Sequence, residues 1–185
     1  VNIDVEYSFT PDAQDADGDT LTFAVANKPT WLQLDTATGQ LTGTPTEQDA
    51  QNYPAIKLSV SDPSGATTSL PEFDILVNSV PVVVVNAQSS YFEGNEVTIS
   101  GVNSYDVDGH EFSYVWQQTD GPTITIDSTS QSYISFSVPL VNDAINVSFN
   151  LTLTDSYGAI NIHSFAFTIS PDDIAPSVGD FILLI

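Results

Sequence analysis

The sequence predicts an all-β chain built as two tandem β-sandwich domains. Apolar and polar residues alternate with a period of two along most of the chain, and no stretch shows a convincing helical period. The length of 185 residues is too great for one small sandwich and suits two of ordinary size. Both halves also share an order of elements: a strand, an Asp- and Gly-containing loop, an aromatic strand, two short strands, a long strand ending in Asp, a turn and a last strand.

The first half is expected to form six strands separated by Gly-, Pro- and Asp-containing turns. They are predicted over residues 5–10, 21–25, 31–34, 40–44, 56–61 and 73–77. Within three of these strands, alternate apolar residues would form the inward rows of a two-sheet core. These rows are Leu21, Phe23 and Val25, then Ile56, Leu58 and Val60, then Phe73, Ile75 and Val77.

The second half is expected to form seven strands, which is the count of an immunoglobulin-like sandwich. They are predicted over residues 82–85, 96–102, 112–118, 123–126, 133–138, 146–154 and 159–169. Trp116 lies in the inward register of its strand and is predicted to be a core residue, as is Trp31 in the first half. The row expected to face Trp116 is Val147, Phe149, Leu151 and Leu153.

The domain limits follow from the strand pattern. We expect the first domain over residues 1–79, without an opening strand, and the second over 80–171, with Pro81 breaking any continuous ladder. Residues 172–185 are expected to be a linker and the first strand of a further repeat, so that the chain is cut out of phase with its repeats. The apolar run from Phe181 to Ile185 is predicted to add to the first domain of another copy, head to tail.

The charge balance excludes several partners. There are 24 acidic residues against two lysines and no arginine, giving a net charge of −22. Phosphates need basic groups, so nucleic acid is not expected as a partner, and anionic membrane surfaces are disfavoured. No apolar run reaches membrane-spanning length. The absence of cysteine fits either a reducing compartment or secretion without disulfides.

Two pairs of acidic loops are the candidate functional sites. If the strands form sandwiches, the two loops of each half lie side by side and bring carboxylates together without basic partners. Calcium takes six to eight oxygen ligands from such groups, so each tip is a predicted Ca²⁺ site. The candidate ligands are Asp15, Asp17, Asp19 and Asp62 in the first half, and Asp106, Asp108 and Asp155 in the second.

The first tip is expected to be the stronger calcium site. It has one more carboxylate, whereas the second tip has His110 in the place of its third acid. Histidine is a poor calcium ligand, and His110 is expected to be a solvated loop residue. The alternative for both tips is that Asp and Gly are there only because they make good turns.

Residues 6–77 resemble the dystroglycan-type cadherin-like domain, the bacterial "putative Ig" repeat. The matching segments are residues 15–23, 29–32, 35–39, 41–45 and 60–62. Residues 81–170 resemble a PKD- or REJ-like sandwich through segments 93–94, 104–109, 114–116 and 153–159. The resemblance implies extracellular modules of large bacterial adhesins and secreted enzymes. Cadherins hold calcium at domain junctions with an acidic linker, whereas the linker at residues 78–81 has no acid, which argues against a rigid junction site.

Catalysis finds no support in the sequence. Cysteine is absent, and the two histidines lie in no recognisable nucleophile–base motif. We therefore expect a non-enzymatic, calcium-binding segment of a large bacterial surface or secreted protein that acts as a spacer or adhesion module beside neighbouring domains. The alternative is a carbohydrate- or peptide-binding accessory module of a secreted hydrolase, and a third possibility is a purely structural domain with empty tips.

Overall fold

A computed structural model of the chain describes residues 1–172. The predicted strand from Phe181 to Ile185, and the strand exchange assigned to it, lie outside this part. The chain divides into two compact units. The first compact unit contains Val1–Pro81 together with the loops Asp106–Phe112 and Thr154–Ile160, and the second contains Val82–Tyr105, Ser113–Leu153 and the described residues from Asn161 onward. The predicted domain limits at 79 and 171 stay predictions.

The first compact unit is built from seven short strands. They are β1 (Tyr7–Phe9), β2 (Thr22–Ala26), β3 (Gln33–Leu34), β4 (Leu41–Gly43), β5 (Asn52–Ser61), β6 (Thr67–Ser69) and β7 (Phe73–Leu76), with a 3-10 helix at Glu47–Asp49 before β5. One sheet has the order β1-β4-β3, and the other has the order β2-β5-β6 with β7 also paired to β5. These pairings are antiparallel. The six predicted strands are thus present, and β6 is an addition that its polar sequence Thr-Thr-Ser did not signal.

The first residues of the chain are joined to the segment after β7 by an isolated bridge rather than a strand. Asn2 forms an isolated parallel bridge with Asn78. The amide of Ile3 donates to the Asn78 carbonyl at 3.0 Å, and the Asn78 amide donates to the Val1 carbonyl at 2.9 Å. Asn78, two residues after the end of β7, is thereby fixed to the start of the unit, with its side chain buried.

The core of the first compact unit contains most of the predicted inward residues. Its buried members are Phe23, Leu32, Leu41, Ile56, Leu58, Ile75 and Val77. Trp31 is partly buried against this cluster, as predicted, with its ring edge-on to Tyr7 and Tyr53 at centroid distances of 6.2 Å. Burial of such side chains contributes about 1.5–3 kcal/mol each.

The second compact unit is a sandwich of a four-stranded and a two-stranded sheet. Apart from the strand ends that belong to the first compact unit, its strands are β8 (Ser90–Phe92), β9 (Glu96–Ser100), β10 (Phe112–Asp120), β11 (Tyr133–Ser137), β12 (Ile145–Asp155) and β13 (Ile160–Ser170). One sheet has the order β10-β12-β13-β8 and the other pairs β11 with β9. At the edge, β8 runs parallel to β13.

Two predicted strands of this half are wrong. Residues 82–85 form only an isolated bridge between Val82 and Tyr105, and residues 123–126 form no strand. In the second case Gln118 binds the segment instead, because its side-chain oxygen accepts the Ile124 amide at 2.9 Å and its amide donates to the Pro122 carbonyl at 2.7 Å. The apolar alternation of this segment buries Ile124 without any ladder.

The core of the second compact unit agrees with the predicted rows. Trp116 is 1% exposed, and its indole nitrogen donates to the Gln131 carbonyl at 2.8 Å. The four predicted residues of β12 are all fully buried: Val147, Phe149, Leu151 and Leu153. No helix within residues 1–172 is long and apolar enough to cross a membrane.

Candidate metal centre

The first acidic tip is built from two hydrogen-bonded turns. Asp15 Oδ1 accepts the backbone amides of Asp17 at 2.9 Å and Asp19 at 3.1 Å. In the facing turn, Asp62 Oδ1 accepts the Ala66 amide at 2.9 Å and the Ser64 hydroxyl at 2.8 Å. The Ser64 hydroxyl, with backbone amides of the same turn, lowers the pKa of Asp62. These carboxylates therefore act at least as turn-forming groups.

The first tip does not gather its acids into a compact ligand set. Asp15 and Asp62 line the same groove, which has a volume of about 380 Å³. Across residues 1–172, one set of three Asp, Glu, His or Cys side chains has ligand atoms within 4.8 Å of one another, and it consists of Asp106, His110 and Asp155. The acids of the first tip are not part of it.

The second tip repeats the same two turns. Asp106 Oδ1 accepts the amides of Asp108 at 2.9 Å and His110 at 3.1 Å, as Asp15 does for its own loop. Asp155 Oδ1 accepts the amides of Tyr157 at 2.8 Å and Ala159 at 2.9 Å, as Asp62 does for its turn. The repeated sequence thus has a repeated local geometry, and the difference between the tips must come from their surroundings.

Residues of the linker contact the second tip, and both belong to the first compact unit. The Asn78 side-chain amide donates to Asp155 Oδ2 at 2.8 Å and to Asn2 Oδ1 at 3.1 Å. Ser79 donates to Asp108 Oδ2 twice, through its backbone amide at 2.7 Å and its hydroxyl at 2.6 Å. Asn78, Ser79 and Asp155 are all buried. Sequence reasoning looked for acids in this linker and so missed two neutral side chains that lie against the carboxylates.

The second tip and the linker residues Asn78 and Ser79 form one cluster. Three buried atoms of this cluster have no hydrogen-bond partner: Asp106 Oδ2, Asn78 Oδ1 and His110 Nδ1. The Asp106 side chain is 1% exposed. Because the Asn78 amide nitrogen is engaged by two oxygen acceptors, its oxygen is the free atom. Buried polar atoms are rarely left unpaired. The two oxygens carry lone pairs that can bind a cation, and His110 Nδ1 carries one in the tautomer with its proton on Nε2.

The expectation that His110 is a solvated loop residue is wrong. Its side chain is 19% exposed, and Nδ1 lies 3.8 Å from Asp106 Oδ1. Its ring packs against Tyr157 with centroids 4.5 Å apart. His110 is thus held in the cluster by packing against Tyr157. The composition of its own loop does not indicate this contact.

Within residues 1–172, neither lysine forms an ion pair with the carboxylates of the second tip. Lys28 donates to the Leu32 carbonyl at 2.6 Å, and Lys57 is exposed on β5. The carboxylates of Asp106, Asp108 and Asp155 lie in or beside the buried cluster. Close buried carboxylates repel one another unless a cation is present, and the oxygen-rich donor set fits a divalent ion.

The chain is similar to parts of several solved structures. A solution structure of the PKD domain from the KIAA 1837 protein is 20% identical, with 50% of this chain and 90% of that chain covered and a TM-score of 0.40. Domains 3–6 of protocadherin gamma B2 are 17% identical, with 92% of this chain and 44% of that chain covered and a TM-score of 0.47. No curated protein gives a significant sequence match.

A third structure is a nucleoside hydrolase-related hypothetical protein from Saccharophagus degradans that is associated with carbohydrate metabolism. It is 22% identical with a TM-score of 0.43, and the chain covers 26% of its length. The family model described as "Putative Ig domain" matches residues 1–78, and the one described as "K319L-like, PKD domain" matches residues 90–169. The chain therefore matches two family models in tandem, a Putative Ig domain in its first half and a PKD domain in its second.

Proposed function

We propose that this chain is a non-enzymatic, extracellular, calcium-binding segment of a larger bacterial surface or secreted protein, acting as a spacer or adhesion module. Its Ig-like and PKD-like domains are of an extracellular type that is typically non-catalytic. The observation that carries the proposal is the set of three unpaired, buried lone-pair atoms on Asp106, Asn78 and His110 beside the Asp155 carboxylate.

Calcium suits this cluster because most of its donors are oxygens. Asp106 Oδ2 and Asn78 Oδ1 are free to bind. Asp108 and Asp155 contribute carboxylates that lie against the linker through Ser79 and Asn78. Ca²⁺ completes its six to eight ligands with such groups and water, in flexible geometry.

A cation bound here would stiffen the chain locally. Asn78 belongs to the linker, Asp106 to the loop before β10, and Asp155 to the turn between β12 and β13. The Asn78 side-chain amide already donates to Asp155 Oδ2 at 2.8 Å, and ligand atoms of Asp106 and Asp155 lie within 4.8 Å of each other. An ion shared by the three segments would hold residues 78–79 against both loops, which is the mechanical property that a spacer requires.

The test is thermal unfolding of the chain at fixed ionic strength, in chelator and in millimolar calcium. Ligands that bind only the folded state stabilise it by about 2.7 kcal/mol at a hundredfold excess over Kd, and extracellular modules bind calcium at about 10⁻⁴–10⁻³ M. We expect calcium to raise the melting temperature and magnesium to raise it less, because magnesium dehydrates reluctantly. Identical curves in chelator and calcium would contradict the proposal.

The second candidate function is carbohydrate or peptide binding as an accessory module of a hydrolase. It is favoured by the groove in the first compact unit, whose lining includes the apolar side chains of Phe23 and Leu58 and the polar ones of Asp15, Asp62 and Thr68. An apolar lining with a few polar groups is typical of ligand clefts. Binding to arrayed glycans or peptides that is lost on Thr68→Trp, which fills the groove, would support it over the spacer.

A further inference from the structure

The strongest unexplained feature is a histidine inside a carboxylate cluster. The ligand atoms of Asp106, His110 and Asp155 lie within 4.8 Å of one another. We infer that this cluster is a mixed nitrogen–oxygen metal centre in which His110 Nδ1 is a ligand, so that it binds Zn²⁺ more tightly than Ca²⁺. The inference rests on the proposed cation site and assigns the preferred ion and the residue that decides it.

The distances fit a shared ion. His110 Nδ1 lies 3.8 Å from Asp106 Oδ1, which is too long for a hydrogen bond. Two atoms bound to one zinc ion at about 2.0–2.2 Å lie roughly 3–4 Å apart in tetrahedral geometry. Asp106, His110 and Asp155 would supply three ligands, and the free oxygen of Asn78 or a water would supply the fourth.

The burial of these atoms provides an independent reason. Asp106 has a side chain 1% exposed, yet its Oδ2 has no partner, and Asn78 is 1% exposed with its Oδ1 unpartnered. A structural core histidine normally hydrogen-bonds its buried ring nitrogen, whereas His110 Nδ1 is buried and unpaired. A metal ion would satisfy all three atoms at once.

The ring of His110 is held in position before any ion arrives. Its backbone amide donates to Asp106 Oδ1 at 3.1 Å, and its ring packs on Tyr157. The backbone amide of Tyr157 in turn donates to Asp155 Oδ1 at 2.8 Å. The nitrogen ligand and both carboxylates are therefore fixed by the same two turns, which lowers the cost of assembling the site.

The chemistry of imidazole decides the preferred ion. Calcium is a hard cation that takes oxygen ligands, whereas imidazole and carboxylate together suit zinc. The first tip offers an internal comparison, because its loop has Asp19 where the second has His110. The replacement of Asp19 by His110 at this position is therefore the difference between a loop with only oxygen ligands and one with oxygen and nitrogen ligands.

The experiment is calorimetric titration of the full chain with Zn²⁺ and with Ca²⁺. We expect wild-type protein to bind one Zn²⁺ at least about tenfold more tightly than Ca²⁺, and the His110→Asn variant to lose at least about tenfold in Zn²⁺ affinity, since even outer-shell changes cost that much. Calcium affinity should change less than threefold or so on the same substitution. His163→Asn, on an exposed histidine of β13, is the matched control and should leave both affinities unchanged.

The ring signals of His110 provide a second readout. In NMR spectra they should shift with Zn²⁺ in wild-type protein and be absent in His110→Asn, while the unchanged dispersion of the remaining signals checks that the variant is folded. The inference is overturned if Zn²⁺ binds no tighter than Ca²⁺, or if His110→Asn and His163→Asn behave alike. Calcium stabilisation with no effect of His110 would leave the proposed function standing, whereas Zn²⁺ binding through His110 without calcium binding would overturn only the calcium assignment.

Discussion

Asp155→Asn is the substitution whose effect on folding the structure defines best. Asp155 is buried, with 6% of the residue exposed, and its side chain accepts three hydrogen bonds. Oδ1 receives the amides of Tyr157 at 2.8 Å and Ala159 at 2.9 Å, and Oδ2 receives the Asn78 side-chain amide at 2.8 Å. Asparagine has the same shape but only one acceptor oxygen.

The magnitude follows from that loss of an acceptor. If the new amide oxygen faces the turn, its NH₂ group faces the NH₂ group of Asn78, and if it is reversed, two turn amides lose their acceptor. Either way at least one buried donor is unsatisfied, which costs about 1–3 kcal/mol. We therefore expect the free energy of unfolding of the first compact unit to fall by about 1–3 kcal/mol in chelator.

Urea unfolding followed by tryptophan fluorescence measures this change. The dependence of the free energy of unfolding on urea concentration should be the same in variant and wild type, which checks that both expose the same surface on unfolding. Asp62→Asn is the matched control, because Asp62 occupies the corresponding turn of the first half and accepts the Ala66 amide at 2.9 Å. The hydrogen-bond partners of Asp62 are exposed, so Asp62→Asn should lower the free energy of unfolding less than Asp155→Asn does. The reasoning would be refuted if Asp155→Asn equalled wild type or if Asp62→Asn were the more damaging change.

Three further outcomes are expected. Asp108→Asn should weaken calcium binding more than Asp17→Asn in calorimetric titrations, the reverse of the ranking from sequence, because Asp108 contacts the buried linker; equal effects would contradict the site. Trp116→Ala should lower the free energy of unfolding by about 3–5 kcal/mol in urea, and a loss under 1 kcal/mol or so would mean that this core position is not packed. The Ser64 hydroxyl lowers the pKa of Asp62 below its ordinary value. The Asp62 carboxylate therefore stabilises the fold above that ordinary value, and this stabilisation is lost as the pH falls through the lowered pKa. The free energy of unfolding should depend less on pH in this acid range in Asp62→Asn than in wild type, and an unchanged pH profile would contradict this.

The strands and cores could be predicted because alternation directly encodes which face is buried. Phe149 and Leu151 lie on one parity of a long strand, and both are fully buried. The alternation failed at residues 123–126, where a side chain, Gln118, binds the backbone and replaces a ladder. It also missed β8, whose three residues pair in parallel with the distant end of β13, since a short edge strand leaves little periodic signal.

The site was less predictable because its decisive contacts are non-local. Both tips have the same turn chemistry, so the sequence offered only a count of acids to rank them. Asn78 and Asp155 are 77 positions apart, and Ser79 and Asp108 are 29 apart. Neutral side chains such as Asn78 and Ser79 give no charge signal, and the burial of His110 depends on Tyr157, which belongs to the other turn.

The most direct test of the cation site is calorimetric titration of calcium into wild-type protein, Asp155→Asn and Asp62→Asn. We expect one binding event in wild type with a Kd of about 10⁻⁴–10⁻³ M. Asp62→Asn should retain it, and Asp155→Asn should lose at least about tenfold in affinity, because the substituted group lies in the cluster with Asp106 and His110. No binding by wild type, or equal affinity in Asp155→Asn, would contradict a cation site at the linker.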